Sequence, residues 1–492
     1  MANLFGSGWG TLIGLVCTPL FIRFLGMDAY GLIGFFVTLQ GVVQIVDMGL
    51  SPTMNREMAR YSVLPEKAAE ARDFVRTLEI GYWALGILIG VTIVLSAPII
   101  ASHWIRPGRL TVGEVRSAIA IMGLLVALQW PFSLYQGGLL GLQRQVLLSC
   151  ITVATSTLGS LGAVLILWKV SPTLLAFFLW QIGIVILQVA FTTVALWRSL
   201  PAADQPARIV PRLVRNVGRF AIGVSGISVM ALVLTQFDKV ILSKMLDLKS
   251  FGYYVLAGVV GNGLMVLVAA MFNTVYPRFC ALVVLRDEQG LKEIYHGSTQ
   301  ILAIMILPVA SVIVFFSRDI VFLWIQDPVI AQNVGPIAAI LTIGTALNGM
   351  MNIPFALQLA HGWTRLGLVI TAMFVFTFVP TMVVMCARFG AIGAAAVWAS
   401  LNAVYMVLGV PLTHRKLLRG EAVVWLARDF LPPLAAAVSI VVLGRAIHGD
   451  GKGPASEILF LGLLYLCALI GSGLAAPLGR EELRKRILAI LQ

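Results

Sequence analysis

Asp47, in the run Asp47-Met48-Gly49-Leu50, and the neighbours Asp238 and Lys239, in Gln236-Phe237-Asp238-Lys239, sit within apolar stretches long enough to cross a bilayer. A charge in hydrocarbon is costly, so each implies a partner or a water-filled cavity. Two readings stand for Asp47: a helix-end acid paired with Arg56 or Arg60, or a group lining a polar cleft. Asp238 and Lys239 form an internal ion pair, snorkel toward the outer surface, or line the same cleft. Arg23 and Lys244 fall at the outer ends of two apolar segments. As anchors they snorkel; pointing into a cleft mouth they would attract a phosphate, Arg through its planar donor fork and Lys as a point charge.

Uncharged amides recur in mid-segment at Gln40, Gln44, Gln129, Gln136, Gln181, Gln188, Asn262, Asn273, Asn348, Asn352, Gln358 and Asn402. They serve either as hydrogen-bonding glue between helices or as the lining of a lumen wet enough for sugar hydroxyls. Enzymatic and metal motifs are missing. The five cysteines and five histidines are scattered without ligand spacing. Gly449-Asp450-Gly451-Lys452-Gly453 lacks the frame of a phosphate-binding loop. Gly223-Val224-Ser225-Gly226 is no nucleophile elbow, because its second glycine comes one residue early. No catalytic residue, metal or cofactor is expected. Energy for any transport comes from an H+ or Na+ gradient, the membrane potential or the substrate gradient.

The elements that carry these residues follow from composition. Of 492 residues, 59% are hydrophobic and 12% charged, against about 45–50% and about 25% in soluble domains. That excludes a soluble enzyme, a disordered chain and a disulfide scaffold. Apolar segments fall at 4–25, 31–52, 80–104, 117–141, 146–168, 173–197, 220–243, 251–275, 298–317, 334–360, 366–387, 389–413, 430–447 and 457–477. This predicts an all-α polytopic membrane protein of about 14 transmembrane helices, two six-helix lobes plus two C-terminal helices. The alternative is twelve with two re-entrant or merged segments. The N-lobe covers 1–200, a linker 201–219, the C-lobe 220–413, and the extra helices with an amphipathic tail 414–492.

The net charge of +13 belongs to loops, not to nucleic-acid binding. One alternate set of loops, with the C-terminal tail, holds 23 of the 35 Lys and Arg. The positive-inside rule therefore puts both termini and the 53–79, 198–219, 276–297 and 414–429 loops in the cytoplasm. External loops are short, which excludes a large external catalytic domain. The linker, with Pro201, Pro206 and Pro211 among arginines, lies against anionic lipid. An interfacial helix is expected from Arg480 to Gln492.

The lobes repeat. Arg23-Phe24-Leu25-Gly26-Met27-Asp28-Ala29-Tyr30-Gly31 aligns with Lys244-Met245-Leu246-Asp247-Leu248-Lys249-Ser250-Phe251-Gly252 at an offset of 221, and at that offset Gly141 and Arg144 meet Gly362 and Arg365. Six helices separate equivalent points, so the lobes share orientation, the parallel kind of repeat. Two such bundles leave a cleft that can open to either side. Gly6/Gly10/Gly14, Gly86/Gly90 and Gly137/Gly141 are small-xxx-small steps that favour close helix packing.

Pro19-Leu20-Phe21-Ile22-Arg23-Phe24-Leu25-Gly26, Tyr30-Gly31-Leu32, Asp47-Met48-Gly49-Leu50 and Arg56-Glu57 resemble the Wzx-type polysaccharide or O-antigen flippases. These belong to the multidrug/oligosaccharidyl-lipid/polysaccharide exporter superfamily. Gln236 to Lys244, Phe251-Gly252-Tyr253-Tyr254 and Tyr276-Pro277-Arg278-Phe279 extend the resemblance into the second lobe. It implies a transporter that moves an undecaprenyl-pyrophosphate-linked oligosaccharide across the bacterial cytoplasmic membrane by alternating access. The positions matching family runs are Arg23, Asp47, Asp238, Lys239 and Lys244 as cleft-lining or substrate-binding groups, and Arg56 and Arg278 in a cytoplasmic gate or loop. A polysaccharide polymerase, a chain-length regulator and membrane lipids are the partners it implies. A peptidoglycan-precursor flippase and a cation-coupled multidrug exporter are the alternatives. A membrane polymerase or ligase would need a larger external loop than those near 105–116 and 318–333.

Overall fold

In a computed structural model of the protein, residues 2–47, 49–203, 205–212, 236–363, 365–449 and 453–478 are described. Among them the regular structure is helix, with one isolated bridge between Arg106 and Asp247. Hydrocarbon offers no hydrogen bonds, so a spanning backbone must satisfy its own N–H and C=O groups, which a helix does. Large apolar side chains such as Leu95 and Val284 stay exposed on the outside, as helices facing lipid require. Among the described residues, eleven helical runs are long and apolar enough to cross a membrane, and Met27–Val43 is a shorter apolar helix. The expected segment 220–243 lies largely outside the described residues, as does the tail from Arg480 to Gln492.

The chain divides into two compact units, Met1–Gly252 and Tyr253–Gln492. The first contains α1 (Ala2–Leu25), α2 (Met27–Val43), α3 (Leu50–Tyr61), α4 (Ala68–Ile99), α5 (Val112–Gln129), α6 (Phe132–Gly141), α7 (Gln145–Lys169) and α8 (Leu174–Ser199). Within it α1 packs on α7, α4 on α5, α3 on α6, and α8 on α5 and α7. Helix ends obey local chemistry. Thr111 and Glu114 form a reciprocal capping box at the start of α5. Thr173 accepts the Ala176 N–H at the start of α8.

The second unit contains α9 (Leu248–Asn262, which begins in the first unit), α10 (Leu264–Leu285), α11 (Glu288–Ile325), α12 (Pro328–Met350) and α13 (Asn352–Ala360). Then come α14 (Arg365–Lys416), α15 (Leu431–Ile447) and α16 (Pro454–Ala475). A straight helix of 52 residues would run ~78 Å, far more than one bilayer. Gly390 breaks α14 with a left-handed φ of 60°, dividing it where the sequence separates 366–387 from 389–413. α11 packs on α12 and α10, α12 on α14, and α15 on α16.

Element boundaries reproduce the repeat. α4 and α11 start 220 residues apart, as do α7 and α14. The α5–α6 break at Trp130-Pro131 finds its counterpart in the α12–α13 break at Met351.

Several expected boundaries are corrected. Segment 31–52 is not one helix: α2 ends at Val43, a 3-10 turn covers Gln44–Asp47, and Gly49 takes a left-handed φ of 72° before α3 begins. Asp47 therefore sits at a break and not deep in a helix. The supposed loop 53–79 is mostly helix, because α3 and the first turns of α4 are amphipathic and lack the continuous apolar run that marks a span. The 276–297 loop shrinks to Arg286-Asp287 between α10 and α11, with Asp287 capping α11 through the Gly290 N–H. Arg56 and Arg278 thus stand on helices and not in loops, both exposed. Much of 414–429 is helical too, since Glu421–Val424 and a π-helical stretch Trp425–Phe430 lead straight into α15.

Candidate functional site: two capped carboxylates in the first unit

The break between α2 and α3 turns the Asp47 carboxylate toward two neighbouring helices. Its Oδ1 accepts the Tyr82 hydroxyl of α4 at 2.6 Å and the Ser133 hydroxyl of α6 at 3.4 Å. Its Oδ2 accepts the Ser51 N–H at 3.2 Å, holding the first turn of α3. Ser51 in turn donates its hydroxyl to the Ser133 carbonyl at 2.9 Å. Three chain segments are tied at one acid.

Glu79 lies three residues before Tyr82 on α4, a spacing that puts both on one helix face. It is buried. Its Oε1 accepts Tyr135 Oη at 2.8 Å and Trp197 Nε1 at 3.3 Å, and its Oε2 accepts Arg76 at 2.9 Å. Trp83 Nε1 donates to the Tyr135 hydroxyl oxygen at 3.2 Å. Glu79, Trp83, Tyr135 and Thr193 line a cavity of about 380 Å³ walled otherwise by apolar residues such as Ile186 and Val194. Every oxygen of the two carboxyl groups has a donor, which offsets the cost of taking them out of water.

The described half of the linker runs along α4 at the same level of the chain. Arg72 donates to the Pro201 carbonyl at 3.1 Å, the Arg208 N–H to Asp73 at 2.6 Å, and the Val210 N–H to Thr77 at 2.9 Å. Beside α3, burial and the carboxylates of Glu70 and Glu57 push the Tyr61 phenol above its usual range, against the opposing pull of Arg60.

The other candidates scatter. Asp47 pairs with neither Arg56 nor Arg60 in the contacts above; Arg60 turns to Glu57 at 3.5 Å. Asp238 is buried, and Lys239 donates to Gln236 one turn earlier at 3.2 Å. Arg23 is exposed at the end of α1. Lys244 is exposed with its ammonium 4.9 Å from the centre of the Trp104 ring, a cation–π arrangement. Trp104 itself donates to Ser243 at 3.1 Å. The repeat motifs meet here: a Cβ on Gly252 would come within 3.2 Å of Gly31, and one on Gly31 would overlap the Leu248 carbonyl.

Several amides act as glue. Gln40 of α2 donates to Gln129 of α5, Asn348 of α12 to Asn402 of α14 at 2.8 Å, and Gln358 of α13 to Thr413 of α14 at 2.7 Å.

Sequence reasoning missed Glu79, placed in a loop one residue before a predicted span. The Arg76/Glu79/Tyr82 spacing was the available signal. It also missed a buried network in the second unit. Asp429, 0% exposed, accepts Gln300 Nε2 at 2.8 Å and faces His296 Nδ1, whose Nε2 lies 3.4 Å from Glu421. Lys292 completes it, 3.0 Å from Glu421. Asp429 and His296 stand 133 positions apart, a separation no local pattern reveals. Among the described residues no three His, Cys, Asp or Glu side chains gather for a metal ion.

Bundled apolar helices in two repeated units, with carboxylates and amides held inside, define a multi-pass membrane protein of the exporter fold. Its solved counterparts include the lipid II flippase MurJ in an inward closed conformation, with a TM-score of 0.69 and 12% identity over 95% of this chain and 97% of that one. An inward-facing MATE-family multidrug resistance transporter of the MOP superfamily gives a TM-score of 0.63 and 14% identity, covering 82% of this chain and 95% of that one. A Shigella flexneri protein carrying the name "Putative O-antigen transporter" is 21% identical over 412 residues, 81% of this chain and 92% of that protein. The sequence profile of the polysaccharide biosynthesis protein family matches residues 2–283. The chain belongs to that family.

Proposed function

We propose that the protein is a flippase for a lipid-linked, undecaprenyl-pyrophosphate-bound oligosaccharide in surface polysaccharide or O-antigen synthesis. It works by alternating access in the bacterial cytoplasmic membrane, with both termini in the cytoplasm. The observation that carries this reading is the family match over residues 2–283. The chemistry of the task agrees with it. A pyrophosphate and many sugar hydroxyls cannot cross ~30 Å of hydrocarbon unaided, whereas the polyprenyl tail can stay in lipid. Arg23 and Lys244, both exposed, are assigned to the pyrophosphate. Asp238 and Lys239 are assigned to the polar path. Asp47 and Glu79 are the acids through which an H+ or Na+ gradient would couple. A polymerase and a chain-length regulator would act on the delivered product.

The similarity in fold to MurJ favours a second reading, a peptidoglycan-precursor flippase. Deleting the gene and labelling lipid-linked saccharides separates the two. Build-up of a polyprenyl-pyrophosphate oligosaccharide on the cytoplasmic leaflet, relieved by the wild type, supports the first reading; build-up of a peptidoglycan precursor supports the second. No lipid intermediate at all would favour drug export. Complementation by an Arg23→Ala/Lys244→Ala double variant at full activity would sink the role given to those cations.

A further inference from the structure

Where α14 ends and the next helical run begins, the turn encloses a pocket of about 530 Å³ lined by Pro411, His414, Arg415, Arg419, Gly420 and Ala422. Both flanking runs, Phe376–Lys416 and Glu421–Ile447, are long and apolar enough to span, so the pocket opens at a membrane–water boundary. Its charge is unbalanced. Arg415 and Arg419 are exposed and make no ion pair among the described residues, while the nearby carboxylate of Glu421 is engaged by Lys292 and His296 and that of Asp429 by His296 and Gln300. His414, in the pocket wall, is 1% exposed. Its Nδ1 bonds the Val410 carbonyl at 2.7 Å, and its Nε2 is buried with no partner among the described residues.

The rings on either side repeat the pattern. Tyr295 stands 5.4 Å from the His414 ring centre and Trp425 stands 6.4 Å away. The Tyr295 hydroxyl and the Trp425 Nε1 are also buried without a hydrogen-bond partner among the described residues. Buried polar groups are nearly always paired, so the imidazole nitrogen calls for a donor, while two guanidinium groups with no ion pair among the described residues call for an anion. With Nδ1–H committed to a carbonyl, Nε2 presents a lone pair that would accept a hydrogen bond from a hydroxyl of the headgroup. Arginine forks match phosphate oxygens in pairs. Leu412 and Val423, next in sequence to the lining residues Pro411 and Ala422, are exposed, apolar surface on which acyl chains would lie.

We propose that this pocket binds the phosphate of an anionic membrane phospholipid, at a site distinct from the path assigned to the transported lipid. The inference does not depend on what the protein transports. Basic pockets between spanning helices are suited to such headgroups.

The test uses the purified full-length protein in detergent, with binding followed by native mass spectrometry and thermal unfolding. Phosphatidylglycerol should bind and raise the unfolding temperature, and phosphatidylcholine should not. Arg415→Gln/Arg419→Gln removes exposed side chains and should fold. It should weaken phosphatidylglycerol binding at least about tenfold, the factor corresponding to ~1.4 kcal/mol. His414→Gln should weaken it as well. Arg106→Gln/Arg109→Gln, which removes two exposed cations elsewhere, should leave it unchanged. Wild-type affinity in the Arg415/Arg419 variant, or equal loss in the Arg106/Arg109 variant, would overturn the site. Stabilisation by inorganic phosphate with no added effect of phosphatidylglycerol would overturn its assignment to lipid.

Discussion

Asp47 and Glu79 show how a membrane bundle tolerates carboxylates: each oxygen is given a donor, one of the two from another helix and the other from a turn close by in the chain. The arrangement predicts unequal costs. Tyr82→Phe removes one of three donors to Asp47 and should lower stability by about 1 kcal/mol, the usual net worth of a hydrogen bond. Glu79→Leu leaves the Tyr135 hydroxyl and the Trp197 N–H with no acceptor. At ~1–3 kcal/mol for each buried donor left unsatisfied, it should cost clearly more than Glu79→Gln, which keeps an acceptor oxygen. Unfolding temperatures of the purified variants decide this, and equal losses for Leu and Gln would show that Tyr135 and Trp197 do not depend on residue 79. Asn348→Ala should likewise destabilise, because Asn402 loses its partner across helices. At this scale the sequence marked Asp47, Gln40, Gln129, Asn348 and Asn402 as polar groups in apolar runs. It could not supply their partners, since Tyr82 and Ser133 come from helices distant in the chain.

Glycine contacts govern the elements. A Cβ on Gly90 would lie 2.7 Å from the Gly123 carbonyl, and one on Gly137 would lie 2.6 Å from the Ser51 carbonyl, so these small-xxx-small steps do bring helices together. Gly14 is different, with nothing among the described residues within 4 Å of an added Cβ. Gly14→Ala should therefore be tolerated. Gly31→Ala, which overlaps the Leu248 carbonyl, should sharply reduce folded yield or force the two repeat motifs apart. Fluorescence-detected size exclusion of tagged variants would show this, and a normal monodisperse peak for Gly31→Ala would count against the packing. The glycine pattern was visible in the sequence, but which steps meet a neighbour was not. Helix boundaries failed where amphipathic ends extended apolar cores: α3, the start of α4 and the start of α11 read as loops because a hydropathy window registers grease and not hydrogen bonding.

Two compact units with matched helix boundaries describe the whole molecule, and charge sets its proposed orientation. If the positive-inside bias governs insertion, a single cysteine at position 208 should be labelled by impermeant reagents only from the cytoplasmic side. One at position 109, an exposed site, should be labelled only from outside. Both are placed in a chain whose own five cysteines have been replaced. The reverse pattern would invert the orientation and remove the cytoplasmic setting of the α14 turn. The linker belongs to this scale as well: Arg208 and Val210 bond to α4 side chains, so its described part is docked and not a free tether.

By itself the sequence determined the class. Hydrocarbon admits helices or closed barrels, and continuous apolar runs of about 20 residues fit only helices, so the spacing of those runs sufficed for an all-α polytopic protein. The 221-residue offset revealed its duplication, because gene repeats leave marks along the chain. Tertiary structure alone decided which polar residues meet. Asp47 received donors from Tyr82 and Ser133, and Glu79 became a buried acceptor. His296, Gln300 and Asp429 converged across more than a hundred residues. Hydrogen bonds depend on positions in space within about 3 Å, and a linear pattern fixes only neighbours within a turn or two of helix.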